Sequence, residues 1–194
     1  MVTIDQIKDL REETGLSISE VKKALEQSNG DVGKAKEALR ILGKTLLGKK
    51  LSRETKSGLI EGYVHQNGSA GVLLDIRCET DFVAKSPEFK GLAHELSLQI
   101  VAMKPLFVKE EDIPEGFLDG EMKIYKEQIA NSGKPENIVA QILEGKISKY
   151  KKEICLLNQT WIKDDSKTVK NLIEDTVGKV GENIEVKKFA RYEI

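Results

Sequence analysis

The chain has 194 residues, 31 of them basic and 32 acidic, with a net charge of −1 and 39% hydrophobic residues. This balance predicts a folded protein rather than a disordered tail. The near-zero charge argues against a protein that coats nucleic acid, which needs a clear excess of Lys and Arg. Aromatic residues make up only 5%, so base stacking on single strands is not a main theme. The length allows one large domain, or a small domain beside a larger one.

The sequence lacks the usual marks of export, membrane insertion and metal binding. No stretch approaches the roughly 18 apolar residues of a membrane span, and the start has no apolar run of signal-peptide length. We therefore expect a cytoplasmic protein that contacts no membrane. Cys78 and Cys155 are far apart, which disfavours a disulfide framework or a zinc site. With only His65 and His94 beside them, we expect no metal or cofactor, and a Cys-His hydrolase is a minor alternative.

Three short helices are predicted over the first forty-odd residues. Thr3 with Gln6, and Ser17 with Glu20, can form capping boxes, and Asp31 can cap a third helix. Expected helix ends lie at Gly15, at Asn29-Gly30 and at Gly43. Apolar residues follow at helical spacing: Ile4, Ile7, Leu10, Val21, Ala24, Leu25, Val32, Ala35, Leu39 and Leu42. So small a bundle has no room for an enclosed active site, which favours a binding module.

A basic stretch follows the predicted bundle, from Arg40 to Gly58. It holds six basic residues against one acidic residue, a net charge of +5, and has no regular apolar face after Leu47. Such a stretch is typical of a solvated linker that is partly helical. The alternative is a basic contact surface for an acidic partner.

The hydrophobic period then changes to that of a sheet. Residues 59–65 alternate as in a half-buried strand, Asn67-Gly68 is a strong hairpin turn signal, and Gly71–Arg77 returns as a second strand. A late strand is predicted at Ile184–Tyr192. A strand in this position commonly pairs with an earlier hairpin, so the sequence predicts an α+β fold with a small antiparallel sheet covered by helices.

Helices are predicted between these strands. Ser86-Pro87-Glu88 opens a long helix that Lys104-Pro105 ends, with Phe89, Leu92, Ala93, Leu96, Ile100 and Met103 as its buried stripe. Further helices are expected at Asp119–Asn131 and Pro135–Lys152, separated by Gly133-Lys134, and after an N-cap at Ser166. Val108–Glu121 carries a net charge of −5 and is predicted to be exposed.

The segment CETDFVAKSP, residues 78–87, lies between the second strand and the long helix. It is predicted to be a loop, a common location for functional residues. Asp81 and Phe82 stand side by side in it. One interpretation puts Phe82 in the core and lets Asp81 cap a turn. The other is an exposed Phe82 that anchors a partner, since exposed aromatic residues are frequent hot spots of interfaces.

Three separated motifs resemble the bacterial elongation factor Ts family, the nucleotide exchange factors for elongation factor Tu. They are LREETGLSISEVKKAL (Leu10–Leu25), ETDFVAK (Glu79–Lys85) and GENIEVKKFAR (Gly181–Arg191), in the family's order. The resemblance covers essentially the whole chain. Two departures stand out: Asp75 and Arg77 stand where Glu and Asn are usual, and Lys187-Lys188 replaces a common Arg pair.

The resemblance implies a role for particular residues. Thr80, Asp81, Phe82 and Val83 match the motif whose Asp-Phe pair inserts into the G domain of elongation factor Tu and disturbs its Mg²⁺ region. Further positions match family contact positions by motif similarity. In the bundle and basic stretch these are Arg11, Ile18 and Lys50; weaker matches are Val180, Gly181, Ile142 and Leu143. A small adaptor that uses the N-terminal bundle stays an alternative function.

The resemblance also implies the architecture. It predicts a ubiquitin-associated-like three-helix bundle over residues 1–44, a basic linker over 45–58, and over 59–194 a core with a three-stranded antiparallel sheet. The chain is similar to the short form of the family, which lacks a duplicated core and an inserted coiled coil. Members of that form pair, so a homodimer is expected.

Overall fold

The computed structural model describes residues 2–130 and 135–194. Its helices are α1 (Ile4–Thr14), α2 (Ile18–Gln27), α3 (Val32–Leu51), α4 (Asp81–Lys85), α5 (Pro87–Met103), α6 (Asp119–Ala130), α7 (Glu136–Ile154) and α8 (Val169–Val180). Its strands are β1 (Ser57–Val64), β2 (Ala70–Cys78), β3 (Thr160–Trp161), β4 (Asp164–Thr168) and β5 (Ile184–Glu193). Short 3-10 turns lie at Glu110–Asp112 and Leu156–Asn158. The predicted α+β class is confirmed.

The first three helices start where their side chains cap them. The Thr3 hydroxyl accepts a hydrogen bond from the amide of Gln6 at 3.2 Å, and the Gln6 side chain accepts one from the Thr3 amide at 3.0 Å. Ser17 and Glu20 form the second predicted capping box. Gly15 ends α1 in the left-handed conformation, with φ at 66°, which a residue without Cβ adopts at little cost. The buried core of these helices is Leu10, Val21, Ala24, Leu25, Ala35 and Leu39.

Helix α3 continues beyond the predicted end. Asp31 caps it as expected, with its carboxylate accepting from the Lys34 amide at 3.1 Å, but the helix continues through Gly43 to Leu51. The prediction that Gly43 ends the helix is therefore wrong. A glycine inside a helix costs only about 1 kcal/mol relative to alanine, and the Lys and Leu residues that follow are good helix formers. The first part of the basic stretch is thus helical.

The predicted hairpin and late strand build one sheet. Its strands are hydrogen-bonded in the order β1-β2-β5 and are antiparallel. The hairpin is closed by the His65 amide, which donates to the Ala70 carbonyl at 2.8 Å. Gly68 takes a positive φ of 70° in its turn, as the Asn-Gly signal predicts.

Helix α5 buries most of the predicted stripe. The Ser86 hydroxyl accepts from the Phe89 amide at 3.2 Å, and Pro87 is the first helical residue. The stripe is buried at Phe89, Leu92, Ala93, Leu96 and Ile100. Met103 is 46% exposed, so its predicted burial is wrong; it is the last residue of the helix, and Lys104 follows with a positive φ of 51°.

The second half of the chain departs from prediction at one hairpin. Strands β3 and β4 pair in a two-stranded antiparallel sheet that the pattern of DDSKT does not reveal. Ser166 lies within β4, so its predicted role as an N-cap is wrong. The hydroxyl of Thr168 accepts instead from the Asn171 amide at 3.2 Å, at the start of α8. The predicted separator of α6 and α7, Gly133-Lys134, lies outside the described residues, as does the predicted helix end at Asn131.

The chain forms two compact units. The first comprises the described residues of Met1–Leu59, Arg77–Lys90 and Ile173–Glu185. The second comprises those of Ile60–Ile76, Gly91–Leu172 and Val186–Ile194. The predicted domain boundaries at 44 and 58 stay a prediction. None of the described helices is long and apolar enough to cross a membrane.

Candidate functional site

Most of the ETDFVAK segment is helical rather than the predicted loop, since Asp81–Lys85 form α4. Thr80 is the N-cap of α4, and its hydroxyl accepts from the Val83 amide at 3.4 Å. Asp81 follows in the first turn, and Lys85 is in the last. An N-cap hydroxyl followed by an acidic residue favours a helix start, so the local signal for α4 was present. Val83 and Ala84 face inward and are 6% and 7% exposed.

Phe82 is exposed, which decides between the two interpretations of this segment. Its side chain is 82% exposed, whereas Phe89, seven positions later, is 0% exposed. The interpretation that placed Phe82 in the core is therefore wrong. The buried neighbours Val83 and Ala84 fix the helix, and the ring beside them faces solvent. An exposed aromatic ring on an ordered helix is suited to anchor a protein partner.

Asp81 is held in its ionised form by a neighbour on the same helix. Its Oδ2 accepts from Lys85 Nζ at 2.7 Å. This hydrogen bond and the charge of Lys85 lower the pKa of the Asp81 carboxyl below its usual value. The expectation that Asp81 caps a turn is wrong, because Thr80 provides the cap. Asp81 and Phe82 thus present a carboxylate and an aromatic ring side by side.

The start of α4 is held by residues just before β5. The Thr80 amide donates to Glu182 Oε2 at 3.0 Å, and the Thr80 hydroxyl donates to Glu182 Oε1 at 2.7 Å. In the opposite direction, the Asn183 amide donates to Glu79 Oε1 at 2.7 Å. These four residues, Glu79, Thr80, Glu182 and Asn183, are called the hydrogen-bond clamp below. They join two of the three motifs that carry the family resemblance.

Asn183 also contacts the end of α3. It is 4% exposed, and its side-chain Nδ2 donates to the carbonyls of Leu51 at 3.2 Å and Arg53 at 2.7 Å. The carboxylate of Glu79 lies 3.5 Å from the Arg53 guanidinium. Glu182 and Asn183 were not predicted as site residues. The available signal was two adjacent polar residues inside the third motif.

Three predicted contact positions lie on the first three helices. Arg11 is an exposed residue of α1, and Ile18, the first residue of α2, is 56% exposed. Lys50 is half-buried near the end of α3. The pKa of Glu20 is lowered mainly by hydrogen bonds with Ser17, and also by the charge of Lys50. Lys50 therefore lies near the start of α2, where Glu20 follows Ile18 by two positions.

The weaker predicted positions fall in both units. Val180 ends α8, and Gly181 follows with φ at 83°, its amide donating to the Val177 carbonyl at 3.0 Å. Both directly precede Glu182, so they adjoin the hydrogen-bond clamp in the first unit. Ile142 and Leu143 are half-buried residues in the middle of α7 and belong to the second unit.

In the described part of the chain, both cysteines are buried and each histidine lies beside a polar side chain. Cys78 is buried and its thiol donates to the Thr80 carbonyl at 3.1 Å. Burial, and next the charge of Glu182, raise the pKa of Cys78, and burial raises the pKa of Cys155 to about 11. These two thiols are thus protonated and poorly nucleophilic at neutral pH.

His65 Nδ1 lies 3.1 Å from the Tyr63 hydroxyl, and His94 Nδ1 lies 3.5 Å from Glu61.

Residues 2–130 and 135–194 contain no group of three or more His, Cys, Asp or Glu side chains that could hold a metal ion. What this part of the chain offers is a solvent-facing phenylalanine and a carboxylate on a helix held by the hydrogen-bond clamp. The arrangement is suited to binding a protein partner.

Comparisons with known proteins give the family. A family model described as "Elongation factor TS" matches residues 3–194. Proteins named elongation factor Ts include one from Thermotoga petrophila, 52% identical over 193 residues, which span 100% of this chain and 96% of that protein. One from Rubrobacter xylanophilus is 48% identical over 191 residues, or 98% of each chain. One from Carboxydothermus hydrogenoformans is 44% identical over 194 residues, covering 100% of this chain and 89% of that one.

The chain belongs to the elongation factor Ts family. The resemblance drawn from the three motifs is therefore confirmed. Membership implies a nucleotide exchange factor for elongation factor Tu in translation elongation.

Proposed function

We propose that this chain accelerates GDP release by inserting Phe82 and Asp81 of helix α4 into the G domain of elongation factor Tu. The exposure of Phe82, at 82%, is the observation that carries the proposal. A large apolar ring in solvent has no stabilising role in this chain, whereas its burial in a partner contributes roughly 1.5–3 kcal/mol. Asp81 beside it supplies polar contacts near the Mg²⁺ and phosphate region.

The mechanism is a thermodynamic linkage and needs no covalent chemistry. A factor that binds nucleotide-free elongation factor Tu more tightly than the GDP-bound form must lower the affinity for GDP by the same ratio. In such GTPases a Mg²⁺ ion and a phosphate-binding loop hold the nucleotide. A contact that displaces either one lowers the barrier to release. Asp81 and Phe82 are the residues of this chain that we assign to that displacement.

The N-terminal helices provide the second part of the proposed interface. Ile18 offers an exposed apolar side chain, Arg11 an exposed guanidinium, and Lys50 a positive charge near the start of α2. We assign all three to docking on the same G domain. Val180 with Gly181, and Ile142 with Leu143, are assigned as secondary contacts, on motif similarity alone. The cytoplasm, where translation takes place, is the proposed location.

We also propose that the chain acts as a homodimer joined through its sheet. Ile60 is 60% exposed, Val64 70% and Leu73 54%. Ile60, Gly62 and Val64 alternate along β1 and so share one face. A Cβ on Gly62 would lie 3.4 Å from Leu73 Cδ2, which puts Leu73 on that same face. Apolar side chains exposed together on a sheet face are suited to pack against a second copy.

The exchange proposal is tested with Phe82→Ala. We expect stimulated release of a fluorescent GDP analogue from purified elongation factor Tu to slow by about tenfold or more, the size of a hot-spot truncation. Glu88→Ala is the matched control, because Glu88 is an exposed residue of the same unit outside the site. Stimulation at the wild-type rate by Phe82→Ala would show that the ring is not inserted.

A further inference from the structure

Helix α4 depends on its surroundings for its position. It has five residues, far fewer than the roughly 12–15 that an isolated helix needs for marginal stability in water. Burial of Val83 and Ala84 holds one side. The hydrogen-bond clamp holds the start, where Thr80 satisfies the amide of Val83 and is itself held by Glu182. Phe82 itself is exposed. The orientation of its ring relative to the rest of the unit therefore depends on the contacts that hold α4.

Both oxygens of the Glu182 carboxylate accept hydrogen bonds from one residue. They accept from the amide and the hydroxyl of Thr80, at 3.0 and 2.7 Å. Hydrogen bonds to an ionised acceptor are roughly twice as strong as neutral ones, and two of them fix an orientation. Glu182 thereby orients the residue directly before Asp81 and Phe82.

Asn183 connects the same site to the first three helices. Its amide donates to Glu79, and its side chain donates to the carbonyls of Leu51 and Arg53. Leu51 is the last residue of α3 and directly follows Lys50. Two adjacent residues of one turn therefore hold α4 on one side and the end of α3 on the other, all within the first unit.

We propose that Glu182 and Asn183 are positioning residues for nucleotide exchange: they hold Phe82 and the end of α3 in one arrangement that fits elongation factor Tu. This inference rests on the proposed function of Phe82. A helix already ordered in its binding position loses less conformational freedom when it docks. Neither residue needs to touch elongation factor Tu for this effect.

The decisive experiment is a double-mutant cycle. Wild type, Phe82→Ala, Glu182→Ala and the double variant are compared in stimulated release of a fluorescent GDP analogue from purified elongation factor Tu. We expect Glu182→Ala to slow release about tenfold, comparable to the loss of charge-assisted hydrogen bonds. In the Phe82→Ala background the same substitution should add little, because a residue that acts through Phe82 has nothing left to position.

Each outcome has a distinct meaning. Wild-type rates with Phe82→Ala would overturn the proposed function itself. Slow release with Phe82→Ala but wild-type release with Glu182→Ala would overturn only the positioning role. Equal losses from Glu182→Ala in both backgrounds would show that Glu182 acts independently of Phe82, which also overturns it.

A conservative variant separates positioning from a general loss of folding. Glu182→Gln keeps the size of the side chain and an oxygen that can accept from the Thr80 amide, so we expect it to recover part of the rate lost in Glu182→Ala. Thermal unfolding of each variant is measured beside the exchange rate. If Glu182→Ala does not fold, the cycle is run with Glu182→Gln. Wild-type exchange by Glu182→Gln in that case would overturn the inference. A loss of exchange seen only where Phe82 is retained, and not beside Phe82→Ala, would support it.

Discussion

Thr80 and Glu182 lie 102 positions apart in the chain, yet two hydrogen bonds join them. Both donors belong to Thr80 and both acceptors to one carboxylate. The contact connects the start of the helix that carries Phe82 to the turn before β5. The residues of the site are thus held by a residue that lies outside their own segment. Close by in the chain are an exposed phenylalanine, Phe82, and a buried one, Phe89, which can be compared directly.

Phe82→Ala and Phe89→Ala should differ strongly in their effect on the free energy of unfolding. Phe82 is 82% exposed and Phe89 is 0% exposed. We expect Phe82→Ala to change the free energy of unfolding by no more than about 0.5 kcal/mol. Phe89→Ala should lower it by about 3–5 kcal/mol, through lost burial and a cavity. Urea unfolding followed by circular dichroism measures both, and a large stability loss from Phe82→Ala would return that ring to the core.

Helix starts and the hairpin were predictable because their signals are local. Thr3, Ser17 and Asp31 cap helices within three residues of themselves, and Asn67-Gly68 closes a turn between adjacent strands. The family resemblance located the Phe82 segment for the same reason, since its motif is contiguous. The ring's exposure could not be derived, because Asp-Phe in isolation fits a core and a surface equally.

The errors share a physical cause, which is context. Gly43 is a helix terminator only where the chain can leave the helix, and here good helix formers follow. The β3–β4 hairpin has a polar sequence, so no alternation reveals it. Glu182 and Asn183 could not be assigned from the sequence, because their partners Thr80 and Glu79 lie more than a hundred positions away in the chain.

Homodimerisation predicts that a charge on the exposed sheet face separates the subunits. Leu73→Lys introduces an ammonium among Ile60 and Val64, and burying it without a partner is costly. Light scattering should give a molecular mass of twice 21.6 kDa for the wild type and of 21.6 kDa for the variant. Ile41→Lys, at a 62% exposed position of α3, is the control and should remain a dimer. A monomeric wild type at working concentration would refute the dimer.

Neither cysteine should react in the folded protein. Cys78 and Cys155 are both buried, and burial raises the pKa of each thiol, for Cys155 to about 11. At pH 7 the reactive thiolate is therefore scarce in the native state. Iodoacetamide labelling read by mass spectrometry should leave both unmodified until urea unfolds the chain. Rapid native labelling of either one would instead support the Cys-His hydrolase alternative.

Glu193 should make stability depend on pH in the acid range. Hydrogen bonds from Arg191 and then Lys104 lower its pKa from 4.5 to about 2. Because the folded-state pKa lies below the unfolded one, the carboxylate stabilises the fold above about pH 4.5, and this contribution is lost as pH falls towards 2. The melting temperature of Glu193→Gln should accordingly lie below that of the wild type at neutral pH. The two should converge as pH falls through this window.

Salt supplies the control for that titration. The carboxylate of Glu193 and the ammonium of Lys104 are both partly in solvent, with side chains 41% and 58% exposed, so their attraction is open to screening. At about 1 M salt the Debye length falls to roughly 3 Å, and the gap in melting temperature at neutral pH should shrink. A gap that stayed constant from neutral pH down to pH 2 would mean that Glu193 contributes through packing, and that its ion pairs with Arg191 and Lys104 do not stabilise the end of β5.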